Sequence, residues 1–146
     1  MSGSTTSDLR PKASLASVVV FVYDLQNSVK FYETVLAMDV TIRTESVALL
    51  VTAEGFQLYL RDMGPRADHA LGSIGTQHVA WAADTAEDLA RFETILKDLG
   101  AHNDTTTTDG ITVVEGRDPN NLSVIMVYPG PDRSPRHHVM SRICGW

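Results

Sequence analysis

The sequence repeats itself once, and this repeat limits the possible folds more than any other feature. An apolar run, an amphipathic helical pattern and three short apolar segments occur in residues 16–61 and again in residues 77–128. A shift of 61 residues superimposes Ser17 on His78, Phe31 on Phe92, Val35 on Leu96 and Met38 on Leu99. A shift of 66 residues then superimposes Gly55 on Asn121, Leu58 on Val124 and Tyr59 on Ile125. Because a solenoid needs at least three stacked repeats, two copies predict a pair of similar modules instead.

Each copy is predicted to contain a strand, a helix and three further strands. The β-branched and aromatic run at 16–23 is typical of a buried strand. Asp24 precedes one helical pattern, and a Thr85-x-x-Asp88 box precedes the other, which ends at Gly100. The remaining strands are predicted at about 39–44, 47–52, 56–61, 77–83, 103–107, 111–117 and 122–128.

This order of elements predicts an α+β fold made of two βαβββ modules, at residues 15–61 and 77–128. Residues 62–76 have the composition of a linker, and residues 1–14 are expected to form a flexible leader. Residues 129–146 end in bulky apolar side chains. A disordered tail rarely ends in this way, so we expect a C-terminal strap that docks on the domain or on a second subunit.

Charge and composition exclude several classes of protein. The formal net charge of -6 and the pI near 5.2 argue against nucleic-acid binding, which depends on basic clusters. No apolar run approaches the roughly 18 to 20 residues that span a bilayer, and the leader has no apolar stretch typical of a secretory signal. The single cysteine, Cys144, excludes an intrachain disulfide framework. We therefore expect a cytoplasmic protein with no membrane or nucleic-acid partner.

Three sequence blocks carry a resemblance to a known superfamily: VVVFVYDLQNSVKFYETVLAMDV, QHVAWAADTAEDLARFETILKDLGA and EGRDPNNLSVIMVYP. They resemble the vicinal oxygen chelate superfamily, which contains glyoxalase I, extradiol dioxygenases, fosfomycin-resistance enzymes and bleomycin-resistance proteins. The resemblance covers roughly residues 15–129. It implies that the two sheets curl into an open barrel around a central small-molecule cavity, and that single chains pair as homodimers.

The resemblance also implies a divalent metal, whose four ligands come from the first and last strand of each module. These positions fall on Ser17, Tyr59, His78 and Ile125, and His78 alone matches the superfamily's usual ligand type. An isoleucine has no donor atom, and a catalytic zinc site usually has three protein ligands. We therefore expect no metal or other cofactor. A divalent metal with unusual ligands is the alternative.

Alternation along the strands predicts which side chains share the cavity with those four positions. The predicted ligand-binding residues are Ser17, Val19, Phe21, Gln57, Tyr59, Arg61, His78, Ser123 and Ile125. Most of these walls are apolar or small, and one wall is polar. Such a mixture is typical of pockets in which a few polar groups orient an apolar ligand.

Three functions fit this cavity. The first is binding of a small aromatic or planar molecule without a metal, as in bleomycin-resistance proteins. The second is a metal-independent isomerase, epimerase or lyase, with His78 as general acid-base and Tyr59 or Arg61 stabilising an enolate-like oxygen. The third is a glyoxalase- or dioxygenase-type metalloenzyme with unusual ligands. The lost ligand positions favour the first.

Several residues also have purely structural interpretations. His78 fits a buried histidine, Tyr59 fits barrel filling, and Arg61 fits a solvent-exposed strand end. Trp81 is expected in the core. Glu115 and Arg117 share one face of a strand, which favours a solvated ion pair over a substrate clamp. The apolar residues Ile143 to Trp146 are expected to act as a dimer clasp.

Overall fold

The computed structural model describes residues 13, 15–68, 76 and 78–129. Two helices and eight strands occupy that part of the chain. In chain order they are β1 (Ser17–Val22), α1 (Leu25–Val35), β2 (Asp39–Arg43), β3 (Val47–Val51), β4 (Gln57–Asp62), β5 (His78–Ala82), α2 (Ala86–Asp98), β6 (His102–Thr108), β7 (Ile111–Arg117) and β8 (Ser123–Tyr128). The predicted order β-α-β-β-β is therefore present twice. The expected leader and strap lie outside the described residues, except for 13 and 129, and so does most of the linker after residue 68.

Each module forms one four-stranded sheet, in the orders β1-β4-β3-β2 and β5-β8-β7-β6. The first and last strands of each module pair in parallel, and the other neighbours pair antiparallel. The α+β fold with two βαβββ modules is confirmed, and its two sheets are curved without closing into a barrel. Within the described residues, β1 and β5 are edge strands.

Side-chain caps explain why the helices begin where the sequence predicts. The Asp24 carboxylate accepts a hydrogen bond from the backbone N–H of Asn27 at 3.0 Å, and the Thr85 hydroxyl accepts one from Asp88 at 3.0 Å. These bonds satisfy donors that a first helical turn otherwise leaves without a partner. Helix α2 ends before Gly100, whose φ of 68° is a conformation that other residues rarely adopt.

One apolar core lies between the helices and the helix-facing sides of both sheets. It includes Leu58 and Leu60 from the first module and Phe92 and Leu96 from the second, all nearly inaccessible to solvent. The modules therefore share a core rather than folding around separate ones. No helix in the described part of the chain is long and apolar enough to cross a membrane.

The exposed Arg91 guanidinium links the two helices beside this core. Its Nη1 and Nη2 atoms donate to the carbonyls of Val35 at 3.0 Å and Thr34 at 2.8 Å, at the end of α1. A cation suits this position because the last carbonyls of a helix carry partial negative charge. The helices are thus joined by both apolar packing and hydrogen bonds.

Candidate small-molecule site

The first and last strands of the first module place six of the predicted residues side by side. Because Leu58 and Leu60 lie in the core, strand alternation turns the residues between and beside them away from helix α1. The register then pairs Ser17 with Gln57, Val19 with Tyr59 and Phe21 with Arg61. We call these six residues the first-module face.

The first-module face exposes apolar surface beside a guanidinium. Val19 is 60% exposed and Phe21 is 56% exposed, whereas Gln57 and Tyr59 are half-buried. The Cζ atom of Arg61 lies 5.6 Å from the centroid of the Phe21 ring, within the range of a cation–π interaction. The sequence placed Arg61 at a solvent-exposed strand end. The side chain is exposed, but it lies over the Phe21 ring.

The other three predicted residues lie on the second sheet and have different surroundings. His78 is half-buried and pairs in register with Ser123. Ser123 and Ile125 are almost fully buried, and Ile125 packs in a small apolar cluster with Val113 and Val127. The first-module face is therefore open, whereas the equivalent positions of β8 are closed.

The structure buries Glu115, so the predicted solvated ion pair with Arg117 is wrong. Its carboxylate has no exposed surface and accepts hydrogen bonds from the Asn103 side-chain amide at 3.1 Å and from the Ser123 hydroxyl. The Arg117 guanidinium donates instead to the backbone carbonyl of Asn121 at 3.2 Å. The repeat indicates this burial, because the shift of 66 residues aligns Glu115 with Leu49, which is also buried.

Trp81, predicted in the core, is half-buried at the edge of that core and packs against it. Its ring meets the Phe56 ring edge-to-face, with centroids 5.0 Å apart. Phe56 follows the turn between β3 and β4, so this contact joins the two modules.

The donor atoms at the four inherited ligand positions do not fit the superfamily's divalent metal. Ile125 has no donor atom and is 2% exposed, and Ser17 and Tyr59 offer hydroxyls where the family usually has imidazole or carboxylate. Among the described residues, no three His, Cys, Asp or Glu side chains lie close enough together to hold a metal ion.

A cavity of about 610 Å³ runs along β1, and we call it the β1 cavity. It is lined by residues 18–23, including the predicted Val19 and Phe21, and by Met63, Asn120 and Leu122. Its volume lies within the range of about 300–1,000 Å³ that small-molecule sites occupy. The sequence did not predict the lining by Asn120 and Leu122, which come from the turn before β8 in the other module.

A buried hydrogen-bond network fixes that turn beside the cavity. The Asn120 side-chain oxygen accepts from the backbone N–H of Tyr23 at 2.7 Å, and its amide nitrogen donates to the Ser28 hydroxyl at 3.1 Å. The Tyr32 hydroxyl donates to the Asp118 carboxylate at 2.7 Å. Burial, together with the charge of Asp118 and this hydrogen bond, raises the pKa of Tyr32 well above its usual value. The network couples helix α1 to the second module.

Solved structures with the same fold cover most of this chain. A glyoxylase/bleomycin resistance protein/dioxygenase domain from Frankia sp. EAN1pec has a TM-score of 0.70 at 21% identity, over 80% of this chain and 98% of that one. A lactoylglutathione lyase from Agrobacterium tumefaciens has a TM-score of 0.64 at 20% identity, over 81% and 95%. A fosfomycin resistance protein from Listeria monocytogenes has a TM-score of 0.64 at 15% identity, over 80% and 93%. At these identities the likeness establishes the fold alone.

The structural similarities do not assign the chain to a family, but a comparison with a family model does. No curated protein matches the chain. The model of the Glyoxalase/Bleomycin resistance protein/Dioxygenase superfamily matches residues 14–126, which include the first βαβββ module and all of the second except the last two residues of β8. The chain therefore belongs to the glyoxalase/bleomycin resistance protein/dioxygenase superfamily.

Proposed function

We propose that this chain binds a small aromatic or planar molecule in the β1 cavity, against Phe21, without a metal ion. One observation carries the proposal: two large apolar side chains, Val19 and Phe21, remain more than half exposed where they line a cavity of about 610 Å³. A ligand that covers them removes apolar surface from water, which stabilises the complex by about 25 cal/mol per Å². The solved structures with the same fold include a lactoylglutathione lyase and a fosfomycin resistance protein, both named for small molecules.

The side chains around Phe21 favour a flat ligand with an acceptor oxygen. Arg61 lies over the Phe21 ring, and its guanidinium has several N–H donors in one plane. The half-buried Gln57 and Tyr59 lie beside them on the first-module face, outside the lining of the cavity. A planar molecule can stack on the ring while a carboxylate, sulfonate or phenolate oxygen accepts from Arg61.

The test is a fluorescence titration with 1-anilinonaphthalene-8-sulfonate, a planar anionic dye, in the presence of a metal chelator. We expect Phe21→Ala to weaken binding by about five- to tenfold, because the ligand loses contact with an aromatic ring. Ile42→Ala is the matched control, since Ile42 is 60% exposed on the same module but does not line the cavity. Equal effects of the two variants would refute the proposed site.

A metal-independent enzyme is the second candidate, and the surroundings of His78 favour it. The register places Ser123 beside His78, and the Ser123 hydroxyl donates to the buried Glu115 carboxylate. A histidine beside such a pair can act as general acid-base. The substitution His78→Gln separates the candidates. If the protein only binds its ligand, the dye affinity of His78→Gln stays within about twofold of the native value, and the native protein does not exchange the C3 hydrogens of 2-oxobutanoate in heavy water. If the native protein exchanges these hydrogens and His78→Gln does not, the result supports the enzyme.

We also propose that the protein is a homodimer in which a second copy packs beside β1 and completes the open side of the β1 cavity. Val19 and Phe21 expose apolar surface there, and β1 is an edge strand among the described residues. Exposed apolar patches and unpaired strand edges both favour association. Light scattering should give the mass of two chains, and deletion of residues 130–146 should reduce it to one if the tail acts as a clasp. A monomeric full-length chain contradicts the dimer.

A further inference from the structure

A second cavity, of about 540 Å³, lies between the modules along β5, the edge strand of the second sheet that corresponds to β1. We call it the seam groove. Its apolar floor includes Leu36, Phe56, Trp81 and Met126, and its rim carries Glu54, Asp84, Asp88 and Arg91. The groove lies outside the six residues of the first-module face and has no role in the function proposed above.

The seam groove is the repeat counterpart of the β1 cavity. Shifting residues 18–23 by 61 positions gives 79–84, and shifting Asn120 and Leu122 back by 66 positions gives Glu54 and Phe56. Residues 79–82, Asp84 and both of those counterparts line the seam groove. Each cavity therefore runs along the edge strand of one module and ends at a turn of the other. Because the two cavities have corresponding positions, the lining residues that differ between them indicate which kind of ligand each cavity binds.

Charge is the first difference between the two cavities. Asp68 is the one carboxylate that lines the β1 cavity among the described residues, whereas Glu54, Asp84 and Asp88 line the seam groove. No ion pair between described residues involves these three carboxylates. Arg91, the one cation that lines the groove in the part of the chain that the structure describes, already donates to two carbonyls at the end of α1. The rim is therefore complementary to a positively charged group.

The aromatic floor is the second difference. Trp81 replaces the Val20 of the β1 cavity, and Phe56 replaces Leu122. These two rings meet edge-to-face at 5.0 Å, and tryptophan is the aromatic side chain whose ring face attracts a cation most strongly. The Trp81 Nε1 atom is buried, and no residue in the described part of the chain accepts its hydrogen.

We propose that the seam groove is a second ligand site, specific for a small molecule with an aromatic body and a positively charged amine. The aromatic body packs on Phe56 and Trp81, and the ammonium group lies near the rim carboxylates. The volume of about 540 Å³ suits such a ligand. The two cavities of the chain then differ in specificity, because the acidic rim that attracts an amine repels an anion.

The experiment follows Trp81 fluorescence while three matched probes are added: 4-phenoxybutylamine, 4-phenoxybutan-1-ol and 4-phenoxybutanoate. The chain contains two tryptophans, so the substitution Trp146→Phe leaves Trp81 as the sole reporter. We expect the amine to change the emission saturably and to bind at least about fivefold more tightly than the alcohol, with the acid weakest. The double variant Asp84→Asn, Asp88→Asn should weaken amine binding by about five- to tenfold and leave the alcohol unchanged.

Two control variants test whether the effects are specific to the seam groove. Glu87→Gln removes a carboxylate from the same helical turn that does not line the groove, so amine binding should not change. Phe21→Ala alters the β1 cavity alone and should also leave amine binding unchanged, which separates this site from the one proposed above. The proposal is refuted if no probe changes Trp81 emission, if the acid binds as tightly as the amine, or if Glu87→Gln weakens binding as much as the double variant.

Discussion

The hydroxyl of Tyr32 provides the sharpest test of how the two modules are held together. It donates to Asp118 Oδ2 at 2.7 Å, and Asp118 is 4% exposed. The other oxygen of that carboxylate accepts from the backbone N–H groups of Asn120 at 2.8 Å and Leu122 at 2.9 Å. The substitution Tyr32→Phe leaves Oδ2 with a 3.4 Å contact to the Asn120 amide. A hydrogen bond to a charged group contributes about 1.5–3 kcal/mol, so we expect the free energy of unfolding to fall by about 2 kcal/mol.

The pH dependence gives the same bond a second readout. The folded-state pKa of Tyr32 is raised, so the stability that this group contributes is fully present below its unfolded pKa of about 10 and is lost as pH rises through the folded value. The variant Tyr32→Phe has no hydroxyl to ionise at this position, so its stability does not fall for this reason. The stability difference between the native chain and the variant should therefore be constant near neutral pH and should shrink above about pH 10.

Urea unfolding followed by circular dichroism measures both effects. Tyr128→Phe is the matched control, because Tyr128 is half-buried and its hydroxyl makes no hydrogen bond to another described residue. It should change the unfolding free energy by less than about 0.5 kcal/mol. The reasoning fails if the two variants destabilise equally, or if the Tyr32→Phe difference stays constant through the alkaline range.

Two further substitutions test local packing and capping. In Gly116→Ala the new Cβ would lie 2.6 Å from a methyl of Leu96 and 2.8 Å from the carbonyl oxygen of Ala101, so we expect a loss of about 1–3 kcal/mol in urea unfolding. An unchanged midpoint would contradict this close approach. Thr85→Ala removes the hydroxyl that caps α2 at the backbone of Asp88 and should cost about 1 kcal/mol, with Thr85→Ser restoring most of it. Equal stability of the Ala and Ser variants would argue against the cap.

Most of the fold could be predicted because its elements follow local rules. Strand β7 has its predicted bounds, and each of the other strands differs from its prediction by one residue at one end or at both. The helix starts followed from the capping side chains Asp24 and Thr85. The repeat was less reliable for burial, since Met38 is 3% exposed while its counterpart Leu99 is 53% exposed. The exposure of a residue at a helix end depends on what packs beside that end, and the repeat in the sequence does not show this.

The sites were harder to predict, because a cavity depends on how the modules pack rather than on strand alternation. Alternation correctly placed Val19 and Phe21 on one face, but it could not show that the turn at Asn120 closes the same cavity. It also could not show that Glu115 is buried, since a period of two says which side a residue faces and not whether that side is covered. The seam groove was missed for the same reason: its walls come from α1, α2, β5 and the turn before β4.

The measurement that tests the central claim most directly is a calorimetric titration of the metal-stripped protein with 1-anilinonaphthalene-8-sulfonate, repeated after addition of a divalent metal. We predict saturable binding at the β1 cavity in the metal-free protein, unchanged by zinc, manganese or nickel and weakened by Phe21→Ala. Binding that appears only after metal is added, or that ignores Phe21, would contradict a metal-free site at this cavity.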